Sequence, residues 1–151
     1  DYAGQVGDSS LAGVDRRAAT AARFLKQLEA IPQAELDAAS KVEYGILART
    51  LKGSIEGNSY GQRTVNFSTY SAWHQGFAGL ADNSPFRNKA DYESYNARLK
   101  QYDRVNDENI AVANAAIKGK YTLPCEVLVG HEGTISGLMP KDQRTSRYYA
   151  P

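Results

Sequence analysis

The chain has 151 residues, 42% of them hydrophobic, enough to bury an ordinary core without the help of a metal or a disulfide. Eighteen Lys and Arg against seventeen Asp and Glu leave a net charge of +1, so no global field draws nucleic acid, an anionic membrane or an acidic substrate. The lone Cys125 excludes an internal disulfide, and no apolar run approaches the roughly 20 residues of a membrane span.

In chain order, residues 1–14 are rich in Gly and Ser and read as an extended lead-in. Asp1 opens on polar sequence, and the expectation is that an export signal is absent or already removed. A first helix is expected from Asp15 to about Ala30, with Ala18, Ala21, Ala22, Leu25 and Leu28 on its inner side, ended by Ile31-Pro32. A second runs from about Ser40 to Glu56, with Val42, Ile46, Ala48, Leu51 and Ile55 as core candidates and Gly57 as its stop. The two read as an antiparallel hairpin. From Asn58 to Phe67 the helical period is lost, and Tyr60, Val65 and Phe67 among Gly, Asn, Gln and Thr suggest extended chain lying across helices. Ser71 to Leu80 reads as a short irregular helix.

The segment Ser84 to Pro124 carries the most ordered detail. Asn88 is placed to cap a helix starting near Lys89, with Asp91 in its first turn, where the helix dipole and free amides favour an acid. Tyr92, Tyr95, Leu99, Tyr102 and Val105 recur at helical spacing and predict a buried face. Asp103 to Asn109 reads as a polar break or a second helix start before Ile110, Val112, Ala113, Ala116 and Ile117, with Gly119 terminating the run and Pro124 opening the next segment. The fold class is therefore mainly α, helical hairpins with an extended, irregular middle segment, in a single domain over residues 1–151 or the amino-terminal fragment of a larger one.

No complete catalytic or metal-binding constellation stands in the sequence. His131-Glu132 would need a second histidine three residues after the glutamate to make a zinc helix, and that position is Ile135. His74, the other histidine, lies far away and reads as structural or as a surface residue. Cys125 would be a nucleophile only beside one of these histidines, and next to Pro124 it reads as a packed small apolar residue. Ser136 lacks the flanking glycines of a nucleophile elbow, and the glycines around it do not form a phosphate loop. Ten tyrosines raise a stacking surface as one reading, and helical spacing argues for half-buried packing with the hydroxyls at the rim. Tyr92, Tyr95, Arg98 and Tyr102 form the candidate partner or cleft surface.

The blocks D-R-R-A-A-T-A-A-R-F-L-K-Q-L-E-A-I, K-V-E-Y-G-I-L-A-R-T-L-K-G-S-I-E-G, S-P-F-R-N-K-A-D-Y-E-S-Y-N-A-R-L and I-K-G-K-Y-T-L-P together resemble the amino-terminal half of the bacterial domain-of-unknown-function family eight-eight-five. That family resembles gluzincin zinc metallopeptidases. The resemblance implies a piece of a larger, helical, exported peptidase whose His-Glu-x-x-His motif lies downstream, so that zinc belongs to the longer parent and no cofactor or catalytic residue to this chain. Its implied partners are the remainder of the parent polypeptide and, in that parent, a peptide substrate, with no nucleic acid and no membrane span. The R-Y-Y-A-P ending fits an interrupted segment. A stand-alone helical module that binds a protein or peptide through its tyrosine face is the alternative.

Overall fold

A computed structural model describes residues 3–68 and 70–149. Asp1 and Tyr2 of the lead-in, and Ala150 and Pro151 of the R-Y-Y-A-P ending, lie outside the described residues. The fold is mainly helical, as the periodicity implies: α1 (Leu11–Glu29), α2 (Ala38–Gly57), α3 (Trp73–Ala78), α4 (Lys89–Leu99), α5 (Tyr102–Lys118) and α6 (His131–Ser136), joined by short 3-10 turns. Among the described residues the only β pairing is a single antiparallel bridge between Phe67 and Ala72.

The core is organised along α5, where Val105, Asn109, Val112 and Ala116 are buried at spacings of four, three and four. Of the two readings of Asp103 to Asn109, a polar break or a second helix start, the structure takes the second: the chain turns at Lys100 and Gln101, and α5 begins at Tyr102. The reason lies in Val105 and Asn109, which join the inner stripe and make this polar-looking stretch the first half of the central helix. The end of α5 is also more specific than a glycine stop. Tyr121 N–H donates to Ala116 O and Lys120 N–H to Ile117 O, and Lys120, at φ 56°, takes the left-handed position just past Gly119.

The start of α1 lies four residues before Asp15. Ser10 caps it, accepting a hydrogen bond from Gly13 N–H at 3.0 Å, while Asp8 accepts from Ser10 N–H at 2.9 Å. Gly13 belongs to this turn because a Cβ there would stand 2.6 Å from the Asp8 carboxyl carbon. Ahead of it the lead-in lies against the α4–α5 junction. Gln101 donates to Gly4 O and accepts from Val6 N–H, Arg104 donates to Val6 O, and Glu108 accepts from Ser9 N–H at 2.8 Å.

Helices α1 and α2 pack against each other. In α1, Ala21 and Leu28 are buried and Ala18 and Leu25 half-buried, whereas Ala22 faces outward. In α2 the inner stripe is Ser40, Tyr44, Ala48, Leu51 and Ile55, and all five are only half-buried. Two expected core residues are therefore misplaced: Val42 is 62% and Ile46 63% exposed. Each lies two residues from Tyr44, a rotation of about 200° that puts it away from α1. Phe24, Ile31 and Leu47 are exposed as well, so the hairpin presents several large apolar side chains to solvent.

The irregular middle segment does cross the helices. Its 3-10 turn, Gly61–Thr64, packs on α1 and α5, and Arg63 pairs with Asp15. Asn66 then donates to the main-chain oxygen of Asn109 at 2.8 Å, and Asn109 itself donates to Val105 O.

Two substitutions test this arrangement. Phe77→Ala, inside the core, should cost about 3–5 kcal/mol in denaturant unfolding, while Ile46→Ala should stay within about 0.5 kcal/mol of the parent. Lys120→Gly should raise stability by about 1 kcal/mol by relieving the left-handed backbone, and a loss there would contradict the helix ending described.

Candidate functional site

The region where side-chain chemistry gathers lies where α3, α6 and the 146–149 segment meet α4 and α5. Helix α3 is held on α5 by Trp73, whose indole N–H donates to Asn106 Oδ1 at 3.2 Å, and by the buried Ala72, Phe77 and Ala78. Gly130, at φ 89°, lets the chain swing into α6, a conformation a residue with a Cβ rarely adopts. Helix α6 then packs on α3. The polar tie between them is His74 Nε2 to Thr134 Oγ1 at 2.8 Å.

The two histidines, 57 positions apart in the sequence, thus come together. His74 is 4% exposed, and His131 sits close enough to bias its titration. Trp73 meets the His74 ring edge-on at 5.6 Å and Phe67 meets His131 edge-on at 5.6 Å, so both imidazoles stand among aromatic rings. They line a small apolar cavity of about 150 Å³ with Phe67, Leu128 and Ile135. Glu132 is exposed in the first turn of α6. Among the described residues no three His, Cys, Asp or Glu side chains are grouped to hold a metal ion. Cys125, expected to be packed, is exposed: it opens the 3-10 turn Cys125–Leu128 at the surface, where Pro124 starts a new direction of chain.

The four residues of the candidate partner surface separate. Asn88 caps α4 as expected, accepting from Asp91 N–H, which sets the rotation of the helix. Tyr95 is then 3% exposed, wedged against Phe86 at 5.2 Å, and its hydroxyl donates to Tyr148 O at 3.1 Å. Arg98 donates to Ser84 Oγ at 2.7 Å. Tyr102 packs edge-on against Phe77 at 4.9 Å and tilts toward Tyr148 at 6.4 Å. Tyr92, tilted at 49° against Phe86 with the ring centres 4.9 Å apart, keeps 45% of its surface in solvent. It sits three residues before Tyr95, toward the edge of a stripe centred on Tyr95.

The chain's own residues 146–149 cover part of this face. Beyond the Tyr95 hydrogen bond, Arg147 pairs with Asp82 at 2.7 Å. A larger cavity, of about 350 Å³, opens beside them between His74, Phe77, Leu99, Tyr102, Ile135 and Tyr148. Burial pushes the phenols of Tyr95 and Tyr148 above the ordinary value. The sequence signals both tyrosines and both histidines, but the closing contacts join residues more than fifty positions apart and have no local pattern.

Burial, and then the nearby His131, holds the His74 imidazole below its ordinary value of 6.5. Between its folded value and 6.5 the folded chain binds fewer protons than the unfolded one, so stability is full above pH 6.5 and is lost as pH falls through the folded value. The carboxylates of Asp8, Asp15, Asp37 and Asp142 are held below 3.8 by hydrogen bonds from Ser10, Asn58, Ser40 and Arg144, so their losses come in more acid solution. Denaturant unfolding should accordingly show stability falling from pH 7 to pH 5, and His74→Phe should flatten that slope; an unchanged slope would contradict a buried neutral His74.

No helix among the described residues is long and apolar enough to cross a membrane. Neither a curated protein nor a solved structure matches the chain. A family model described as "Bacterial protein of unknown function (DUF885)" matches residues 1–151, and the chain belongs to that family.

Proposed function

We propose that this chain is a helical scaffold that packs on further sequence of a longer, zinc-metallopeptidase-like polypeptide and helps wall its peptide-binding cleft. The observation that carries the reading is the set of large apolar side chains exposed on the α1–α2 hairpin and its connection. Val42, Ile46, Leu47, Phe24 and Ile31 are all exposed there, on a hairpin whose second helix has no buried residue at all. Solvated helices seldom spend five large apolar side chains on water, and a packing partner accounts for them. The rest of the parent polypeptide is that partner. In such a parent, α4 and the start of α5 contribute the cleft side, with Tyr92 turned outward and Tyr95, Arg98 and Tyr102 fixing its backing. Hydrolysis, zinc and export belong in this reading to the longer protein, through its resemblance to gluzincin peptidases.

Val42→Asp combined with Ile46→Asp tests the docking. In the isolated chain the pair should change stability by no more than about 0.5 kcal/mol, because both side chains are already solvated. In the longer polypeptide the same pair should lower the unfolding midpoint and any peptidase activity together, by burying unpaired charge. Equal, negligible effects in both contexts would sink the reading. So would tightly bound zinc together with peptide hydrolysis in the isolated chain.

A further inference from the structure

Among the described residues, α6 is fastened to other parts of the fold by two directed contacts, and a histidine takes part in each. Thr134 Oγ1 meets His74 Nε2 at 2.8 Å, and the His131 ring meets Phe67 edge-on at 5.6 Å. The helix buries no side chain of its own, and Ile135, its one large aliphatic residue, is 47% exposed.

The His74 end of this fastening suits a neutral ring only. The single proton of the Thr134 hydroxyl goes to His131 O at 2.7 Å, so Oγ1 accepts from Nε2, and Nδ1 of the neutral imidazole is bare. A further proton must go to Nδ1, which is buried and has no hydrogen-bond partner. No acid waits beside it. The titratable groups that share its cavities are Tyr102 from α5, His131 from α6 and Tyr148 from the 146–149 segment, and no carboxylate lines either cavity. Glu132 is exposed, and Asp82, which follows α3, is engaged by Arg147. Charge on His131 has the same sign and opposes the proton further.

A buried charge without compensation is relieved by exposure, and α6 is the part most easily moved. Gly130, Gly133 and Gly137 leave it little helical propensity, whereas on the other side of His74 Phe77 and Ala78 are buried and Trp73 is bonded to Asn106. We propose that α6 is an acid-released flap: protonation of His74 undocks it from α3 and opens the cavity of about 350 Å³ that Ile135, Leu138 and Met139 close against Phe77 and Tyr102. Docking holds the imidazole below 6.5 and release returns it toward that value, so the flap is closed above pH 6.5 and opens as pH falls below it. All the groups involved belong to this chain, so the device does not depend on the scaffold reading.

Amide and imidazole nitrogen NMR of the full chain, titrated from pH 7 to pH 5, tests the flap. The Thr134 and Ile135 amide resonances should move to the positions of an unstructured chain in step with protonation of His74, while those of Val105 and Val112 in α5 keep theirs. His74→Gln, whose amide can donate to Thr134 and cannot charge, should keep α6 docked at pH 5. The titration of the unsubstituted chain decides the matter should that variant fail to fold. An α6 that stays docked once His74 is charged, or that is lost only together with α5, would overturn the proposal. Release at the same pH in His74→Gln would overturn His74 as its trigger.

Discussion

A buried amide governs the placement of everything around the candidate site. Asn109 sits in the middle of α5 among Val105, Val112 and Ala116, where an unsatisfied amide would cost on the order of 1–3 kcal/mol. Its side chain bonds back to Val105 O, and its main-chain oxygen takes a second donor from Asn66. That contact fixes where an otherwise patternless strand of chain must run. Phe67 and Ala72 then pair across their short turn, Trp73 reaches Asn106 one turn from Asn109, and α3 starts with its inner face already chosen. His74 faces inward because Trp73 is anchored and Phe77 is buried three residues on.

Much of this frame is legible from local chemistry. Asn88 with Asp91 gives the start of α4 to the residue, and Gly119 marks the end of α5 closely. Tertiary packing accounts for the places where the pattern misleads. Asp103 to Asn109 reads as a break or as a helix start because polar residues crowd it, and helix wins because Val105 and Asn109 fall on one inward line while Asp103, Arg104 and Asp107 stay outside. Val42 and Ile46 look like core because they are large and apolar, but the small-residue face of α1 meets the line through Tyr44, Ala48 and Leu51 instead. The start at Asp15 is too late because Ser10, held by Asp8, caps the helix ahead of Gly13.

The candidate site was legible only in its parts. Tyr95 and Tyr102 announce themselves by helical spacing, and the two histidines by rarity. Their convergence depends on α6 lying against α3, and the sequence around α6 hides this: Gly130, Gly133 and Gly137 give it a poor intrinsic helix propensity. A six-residue helix of that composition does not persist by itself. Thr134, one hydroxyl bridging His131 O and His74, ties its first turn to the core.

The lead-in draws a different consequence from the same economy of contacts. Gly4, Val6 and Ser9 are bonded to Gln101, Arg104 and Glu108, partners 95 to 99 positions away. Such stitches close a loop of about two thirds of the chain, and their entropic penalty falls only once the intervening helices have shortened the path. On the ribosome this stretch is made well before its native partners and reaches them only after α5 has emerged. The lead-in must wait unpaired until then, which gives its Gly- and Ser-rich, weakly hydrophobic composition a use: it has little to aggregate with while it waits.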